Sequence, residues 1–224
     1  MDEQSAWDGR TYYNEPQLRP APFNNVLVGS YIFLAGVSGA AQLLATVLDN
    51  AHGPVAASTV RRGRYLAMLA PILGTLCLIL DLHTPGRFYN MLRLIKATSP
   101  MSLGSWGLAG FSATSAGTAL LQFTADRLRY SWLLGLARIT QVPAALTGAF
   151  MGTYTASLLS ATSTPVWAAA PRNLAVRFAS SAVASAAAAL RLAERTDRRR
   201  RDLDSIAVAA LAVELAATLA SGPN

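Results

Sequence analysis

The sequence is poor in the residues that hold metals and cofactors, because its 224 residues include one cysteine and two histidines. Cys77 alone can neither form an intrachain disulfide nor ligate an iron–sulfur cluster. His52 and His83 fall in predicted loops on opposite sides of the chain's helices, whereas a membrane haem needs its axial imidazoles inside a helix bundle. The sequence therefore predicts that this chain binds neither a metal nor a haem.

Charged residues are also scarce, at 14% of the chain, whereas hydrophobic residues make up 52%. This balance disfavours a soluble domain with an ordinary charged surface. An apolar stretch of about 20 residues is long enough to cross the hydrocarbon core of a bilayer. The sequence therefore predicts an all-α integral membrane protein with six transmembrane helices, at residues 25–48, 65–82, 103–124, 139–159, 174–190 and 206–220.

The 19 lysines and arginines are unevenly divided between the two sides of these spans. The loops after the first, third and fifth spans carry twelve of them, including the four arginines at 198–201, and the opposite side carries seven. Cytoplasmic loops are enriched in Lys and Arg, so both termini are predicted to lie outside. Because the cations sit in short loops, the sequence has no basic face for nucleic acid, which is not an expected partner.

The chain divides into three predicted parts. Residues 1–24 form an extracytoplasmic segment, residues 25–161 a four-helix bundle that carries the candidate site, and residues 162–224 the last two spans with their basic cytoplasmic loop. Small residues stand four apart in AGVSGAA (35–41) and GAFMG (148–152), a spacing that lets helices approach closely in lipid. These stretches predict close helix packing, either within the chain or between two copies of it.

Polar residues from three spans are predicted to lie at a similar depth near the outer surface. The first span enters from outside with Asn25 and Tyr31, and the second span leaves with Asp81. The fourth span leaves with Tyr154 and Thr155. The sequence therefore predicts that these five side chains share one site at the outer end of the bundle.

The acidic residue in this group has two interpretations. An ionisable group at membrane depth is costly, so Asp81 marks a functional site or is half of a charge pair, for which Arg87 is the candidate partner. A carboxylate beside phenol and amide groups also suits a ligand that exchanges protons through carbonyl and hydroxyl oxygens. Quinone and quinol are lipid-soluble ligands of this kind.

The segment after Asp81 has its own pattern. Phe88, Met91, Leu92 and Ile95 stand at helical spacing within residues 87–96 and predict a short amphipathic helix at the outer interface. Its cationic face would contact either lipid headgroups or an extramembrane partner.

Four stretches of the chain resemble one known family. They are GRTYYNEP (9–16), YIFLAGVSGAAQLLA (31–45), DLHTPGRFYNMLR (81–93) followed by SPMSLGSW (99–106), and YTASLLSATSTPVW (154–167). In this order and spacing they resemble the NrfD family, the polysulfide-reductase-type membrane anchor, over roughly residues 9–180. Two departures are His83, where the family usually has glycine, and six predicted spans, where members commonly have eight or more.

The resemblance implies a membrane anchor subunit of a molybdenum-type oxidoreductase in the cell membrane. Such a subunit binds quinone (menaquinone or ubiquinone) near the outer face and docks against a ferredoxin-like, four-cluster iron–sulfur subunit, which serves a molybdopterin catalytic subunit. By motif position, it implies quinone-site or proton-handling roles for Asn25, Asp81 and Tyr154. Together with the residue argument, it makes Asp81 and Tyr154 the reactive candidates and Asn25, Tyr31, Arg87 and Thr155 the quinone-binding candidates.

Two other functions are compatible with parts of this pattern. The chain could be a structural anchor without an active quinone site, which retains its partners but binds no quinone-site inhibitor. A small transporter would need a polar pathway that continues to the cytoplasmic side. The cytoplasmic halves of the spans are expected to hold too few ionisable groups for that, with Arg138 directed towards the lipid surface and Glu214 either paired or part of a proton path.

Overall fold

In the computed structural model, all regular structure among the described residues is helical, which confirms the predicted all-α class. The structure describes residues 24–82, 84–93, 95–160 and 171–220. The N-terminal motif at 9–16, His83 and the loop 161–170 lie outside the described residues. The described residues form six α-helices: α1 (Asn25–His52), α2 (Ala57–Asp81), α3 (Pro100–Leu128), α4 (Ser131–Ser160), α5 (Pro171–Ala193) and α6 (Asp197–Leu219).

Two short 3₁₀ helices join the α-helices. One, Gly53–Ala56, links α1 to α2, and the other, Pro85–Leu92, follows α2. The second lies where an amphipathic helix was expected, and none of its residues is buried. Phe88 and Leu92 are exposed and Met91 is half-buried, whereas Ile95 lies beyond the end of this helix, which therefore covers only part of the predicted stretch 87–96.

Each predicted apolar stretch falls on its own helix, but the helices differ in how apolar they are. Within the described chain, three segments are long and apolar enough to cross a membrane: Asn25–Asp81, which contains both α1 and α2, Ser131–Ser160 in α4, and Arg172–Ala193 in α5. The α3 sequence is rich in Gly, Ser and Thr, and α6 begins with a run of charged residues. Composition therefore supports a membrane protein most directly through α1, α2, α4 and α5.

Successive helices run antiparallel, which gives the bundle two distinct ends. Helix α1 packs against α2, α4 and α5, α3 packs against α4, and α6 packs against α5. One end, called here the Asp81 end, joins the starts of α1, α3 and α5 to the ends of α2 and α4. The other, called the Arg64 end, joins the opposite helix termini and the link from α5 to α6.

Helices α1 and α4 touch through their backbones near the middle of the bundle. Gly39 and Gly148 face each other there, and a Cβ atom added to Gly148 would stand 2.8 Å from the carbonyl oxygen of Gly39. Both residues belong to the small-residue stretches identified in the sequence. Since apolar burial against lipid gives helices little reason to associate, such close van der Waals packing stabilises the pair.

Helix α5 covers the α1 side of the bundle with small side chains. A buried apolar cluster joins α1, α5 and α6 and consists of Val37, Ala40, Ala41, Leu44, Ala182, Ala186, Ala187, Leu190 and Leu203. Most of these residues are alanines, so the helix axes come close and the contact is broad. This packing fixes α5 and brings the α5–α6 link to the Arg64 end.

A buried carboxylate anchors the α5–α6 link to α2. The Glu194 carboxylate accepts hydrogen bonds from the Thr59 hydroxyl at 2.6 Å and from the backbone N–H of Arg195 and Thr196 at 2.9 and 3.2 Å, and it pairs with Arg62 at 3.0 Å. Burial alone raises the pKa of Glu194, but these donors and the Arg62 charge outweigh it and lower the pKa to about 2. The link is thus held by the ionised form of Glu194.

We expect Gly148→Ala to destabilise the bundle, because the new methyl group would overlap the α1 backbone at Gly39. Overpacking of this kind costs about 1–3 kcal/mol. The matched control is Gly110→Ala in α3, where a Cβ would meet no atom within 4 Å. Thermal unfolding in detergent should show a lower midpoint for Gly148→Ala alone. Equal midpoints for the two variants would show that the α1–α4 contact is looser than described.

The ionised Glu194 makes stability depend on pH. Its pKa falls from 4.5 to about 2 on folding, so its contribution is complete above about pH 4.5 and is lost as the pH drops towards 2. A shift of this size corresponds to about 3 kcal/mol. Glu194→Gln should lower the unfolding midpoint at neutral pH, and the difference from wild type should shrink below about pH 4.5. Asp197→Asn, at an exposed carboxylate, is the control. A difference that stays constant from neutral to acidic pH contradicts this account.

Candidate functional site

Asp81 ends α2 beside the first turn of α1. Its Oδ1 accepts a hydrogen bond from the backbone N–H of Asn24 at 2.8 Å. The Asn24 side chain caps α1 by accepting from the N–H of Val26 and Leu27 at 2.9 and 3.3 Å. A carboxylate is stabilised beside a helix N-terminus, where unpaired N–H groups and the helix dipole favour negative charge. The half-buried Asp81 thus ties the two helices together, and none of the described residues donates a hydrogen bond to its other carboxylate oxygen.

Two phenols continue inwards from this carboxylate. Tyr31, two turns into α1, lies at the same end of the bundle as Asp81 and as Tyr154 of α4, within electrostatic range of both. The Tyr154 hydroxyl donates a hydrogen bond to the carbonyl oxygen of Pro100, the first residue of α3. We call these three residues the Asp81–Tyr31–Tyr154 cluster. It brings together side chains of α1, α2 and α4 that lie far apart in the sequence.

Glycines in α3 make the space that the aromatic side chains of α4 occupy. A Cβ atom at Gly104 would overlap the Tyr154 ring, and one at Gly107 would overlap the Phe150 ring. The Phe150 and Tyr154 rings lie 5.5 Å apart between their centroids. Tyr154 is therefore held by its hydroxyl, by the α3 backbone and by a neighbouring ring, which fixes where the phenol lies.

The other predicted site residues lie around this cluster or apart from it. Asn25 is exposed, and its neighbour Asn24 makes the contact with Asp81. Arg87 is exposed on the 3₁₀ helix Pro85–Leu92, and within the described residues no ion pair joins it to Asp81. The structure therefore does not support the charge pair that the sequence left open.

Thr155 is buried on a different face of α4 from Tyr154. It lines a cavity of about 160 Å³ between α1, α4 and α5, together with Phe33, Phe178 and Ser181. Consecutive residues of a helix point about 100° apart, so Tyr154 and Thr155 serve different spaces. The structure thus places Thr155 near the cluster but in a separate environment.

A second polar cluster, at the Arg64 end, was missed in the sequence analysis. Arg64 is 2% exposed. Its Nη2 contacts the Asp49 carboxylate at 3.0 Å and the Gln141 side-chain oxygen at 2.6 Å, and its Nη1 donates to Gln122. Arg138 also reaches Asp49, at 3.3 Å, and so pairs with a buried acid although its side chain is about half exposed. We call these residues the Arg64–Asp49 cluster.

Helix length explains why this cluster was missed. The predicted first span ends at residue 48, but α1 continues to His52 and so includes Asp49. The predicted second span begins at residue 65, but α2 begins at Ala57, so Arg64 lies two turns inside the helix. The expectation that these halves of the helices hold too few ionisable groups was therefore wrong. The sequence did contain a signal for this pair, because Asp49 directly follows the first predicted span and Arg64 directly precedes the second.

An apolar layer separates the two polar clusters. Phe111 and Met151 pack there with Ala35 and Ala67 of the neighbouring helices. On the Arg64 side of this layer, the Ser38 and Thr118 hydroxyls donate to backbone carbonyls of their own helices at 2.9 Å. The Thr118 hydroxyl also contacts the Thr140 hydroxyl of α4 at 2.9 Å, but among the described residues no chain of side-chain hydrogen bonds connects the two polar clusters.

The described part of the chain contains no cluster of three or more His, Cys, Asp or Glu side chains that could hold a metal ion. The Asp81–Tyr31–Tyr154 cluster instead offers one carboxylate and two hydroxyl groups. Such a set can donate and accept hydrogen bonds and can transfer protons. It is therefore suited to an organic ligand with oxygen atoms.

Comparison with protein families identifies the chain. The family model for polysulphide reductase, NrfD, matches residues 15–220, which is nearly the whole sequence. A sequence search of curated proteins found no match. The match covers three of the four stretches that resemble NrfD, whereas most of the stretch at 9–16 precedes it, and it agrees with apolar helices typical of a multi-pass membrane protein. The chain therefore belongs to the NrfD family, the membrane subunits of polysulphide-reductase-type oxidoreductases.

Proposed function

We propose that this protein exchanges electrons and protons between membrane quinone or quinol and an extramembrane iron–sulfur subunit. Family membership supports its role as the membrane subunit of a polysulphide-reductase-type oxidoreductase. The observation that carries the finer proposal is that Asp81, Tyr31 and Tyr154 lie at one end of the bundle, with Asp81 fixed at the start of α1 and Tyr154 at the start of α3. No other described cluster combines a half-buried carboxylate with two phenols.

The chemistry follows from what these side chains can donate and accept. A bound quinol supplies two electrons and two protons, and a quinone takes them up in the reverse direction. Tyr31 would orient the ring by a hydrogen bond to one of its oxygens, and Tyr154, whose O–H donates to Pro100, would accept a hydrogen bond from a quinol hydroxyl. Asp81 would exchange a proton with the ligand through its free carboxylate oxygen, since its other oxygen is bonded to the Asn24 N–H.

The remaining predicted binding residues lie around the Asp81–Tyr31–Tyr154 cluster and would contact the edges of the ligand. Asn25 and Arg87 are exposed at the Asp81 end and form the rim of the site. Thr155 lines the neighbouring cavity with Phe33 and Phe178, which offers an apolar wall beside the ligand. Asp81 and Tyr154 remain the reactive residues.

Charge distribution supports an orientation with the Asp81 end outside the cell membrane. The Arg64 end receives twelve of the 19 lysines and arginines, and the richer side is normally cytoplasmic. In this arrangement all six helices cross the membrane and both termini lie outside. Residues 1–24 form an outer segment, residues 25–161 the quinone-site bundle, and residues 162–224 the last two helices with their basic loop.

This orientation determines which surface the partner subunits would bind. A ferredoxin-like, four-cluster iron–sulfur subunit would dock on the outer surface at the Asp81 end, where its nearest cluster is close to the quinone. That subunit would pass electrons to or from a molybdopterin catalytic subunit. The 3₁₀ helix Pro85–Leu92, with exposed Phe88 and Tyr89, lies on the same surface.

We expect Asp81→Asn and Tyr154→Phe to lower quinone-linked turnover without loss of assembly. General acid–base groups contribute about 10²- to 10⁴-fold to the rates they assist, so each variant should lose at least about tenfold. Asp81→Asn keeps an oxygen that accepts from the Asn24 N–H, which preserves the helix contact. Turnover should be measured on the purified complex, together with the amount of iron–sulfur subunit retained.

The controls are Tyr89→Phe, at an exposed phenol of the same end, and Asp197→Asn, at an exposed carboxylate of the other end. Both should keep wild-type turnover. If Asp81→Asn and Tyr154→Phe also turn over like wild type, these residues have no part in quinone chemistry. A wild-type complex that also binds no quinone-site inhibitor would then be a structural anchor.

A further inference from the structure

The Arg64 end contains a cavity that the proposed redox function does not use. Its volume is about 310 Å³, and it lies between α1, α2, α3, α4 and the 3₁₀ helix Gly53–Ala56. The charged residues in its lining are Arg61, Arg64, Arg138, Asp49 and Asp126. Three cations therefore face two carboxylates across a space large enough for a small polar group.

The hydrogen-bond acceptors around this cavity are already occupied. The Asp49 carboxylate contacts Arg64 and Gln141, both at 3.0 Å, and Arg138 at 3.3 Å. The Asp126 carboxylate accepts from Gln122 at 3.0 Å and from Tyr65 at 3.3 Å. A metal cation would need free oxygen ligands, and these two carboxylates are committed to protein donors.

The arginine N–H donors around the cavity, in contrast, are only partly occupied. A guanidinium group carries five N–H bonds. Arg64 Nε is buried and has no hydrogen-bond partner within the described chain. Arg61, whose side chain is 47% exposed, reaches Asp126 only at 3.7 Å, and Arg138 makes only long bonds of 3.3 and 3.4 Å to Asp49. The cavity therefore has spare cationic donors and lacks an acceptor for them.

We propose that this cavity binds a phosphate group, supplied by the headgroup of an anionic phospholipid. Phosphate offers several acceptor oxygens and negative charge, and arginine is well matched to it in geometry and charge. The lining also includes Val60 and Leu134, and the exposed Val55 and Trp132 lie beside it on the elements that form the cavity. A lipid headgroup can thus sit among the arginines while its acyl chains stay against an apolar surface, as in basic pockets between transmembrane helices.

The bound phosphate would add a link between two helices whose backbones are not adjacent. Arg61 belongs to α2 and Arg138 to α4, which contact each other only through side chains such as Arg64 and Gln141. An anion held by both arginines bridges the two helices across the cavity. The proposal concerns binding and stability at the Arg64 end, so it does not rest on quinone chemistry at the Asp81 end.

The test is a binding experiment on the whole purified chain after delipidation in detergent. Phosphatidylglycerol and phosphatidylcholine with the same acyl chains are titrated separately, and inorganic phosphate forms a third arm. Lipid retention is followed by native mass spectrometry and binding by the rise in the thermal unfolding midpoint. Wild type should bind phosphatidylglycerol more tightly than phosphatidylcholine.

The decisive variants are Arg61→Gln and Arg138→Gln. Each should weaken phosphatidylglycerol binding by about tenfold, as expected for the loss of a charged hydrogen-bond donor. Arg127→Gln is the control, because Arg127 is a cation of the same end that stacks on Phe123 outside the cavity. If Arg138→Gln fails to fold because it leaves Asp49 underpaired, Arg61→Gln decides, since Arg61 is half exposed.

The outcomes separate the possible sources of the phosphate. If inorganic phosphate competes with phosphatidylglycerol and this depends on Arg61, the phosphate site is supported. If inorganic phosphate binds in this way and phosphatidylglycerol adds nothing over phosphatidylcholine, the anion is free phosphate and the lipid assignment is wrong. The proposal as a whole is overturned if Arg61→Gln binds both anions as tightly as wild type does.

Discussion

The backbone contact between α1 and α4 at Gly39 and Gly148 is the constraint on which the rest of the structure depends. In lipid, helices gain little from burying apolar groups, so association relies on close packing and on polar contacts. Because α1 and α4 touch at this point, it sets which residues of α1 lie beside which residues of α4 towards either end of the bundle. Tyr31 and Tyr154 meet at one end, and Asp49 and Gln141 meet at the other. One contact between two glycines thus positions both polar clusters.

Three acidic residues of the bundle, Asp81, Asp49 and Glu194, are each stabilised by a different arrangement of donors. Asp81 accepts from the start of α1, Asp49 is surrounded by arginine and glutamine side chains, and Glu194 is held by Thr59 and two backbone N–H groups. Unpaired charges are costly inside a membrane, so each carboxylate needs such partners. The carboxylates differ in their remaining acceptor capacity, because within the described residues one oxygen of Asp81 has no donor and lies near two phenols, whereas both oxygens of Asp49 accept from protein donors. This difference is the physical reason to assign proton exchange to the Asp81 end and anion binding to the Arg64 end.

Apolar length and small-residue spacing predicted much of the fold. Every predicted span lies on its own helix, and the two small-residue stretches contact each other through Gly39 and Gly148. The same pattern placed Asp81, Tyr31 and Tyr154 at one end, because antiparallel helices alternate in direction. Hydropathy could not show that α1 and α2 extend past their apolar stretches to include Asp49 and Arg64, since these helical turns are polar. It also could not show that Asn24, as the helix cap, contacts Asp81 in place of Asn25.

The central claim is that the end of the bundle with Asp81 and two phenols holds the quinone. An experimental structure of the complex in a lipid nanodisc with a bound quinone-site inhibitor tests this most directly. The account predicts inhibitor density within hydrogen-bonding distance of the Tyr154 hydroxyl and the free oxygen of Asp81, on the side where the iron–sulfur subunit docks. Density at the Arg64 end, or Asp81 and Tyr154 separated by an intervening helix, would contradict it.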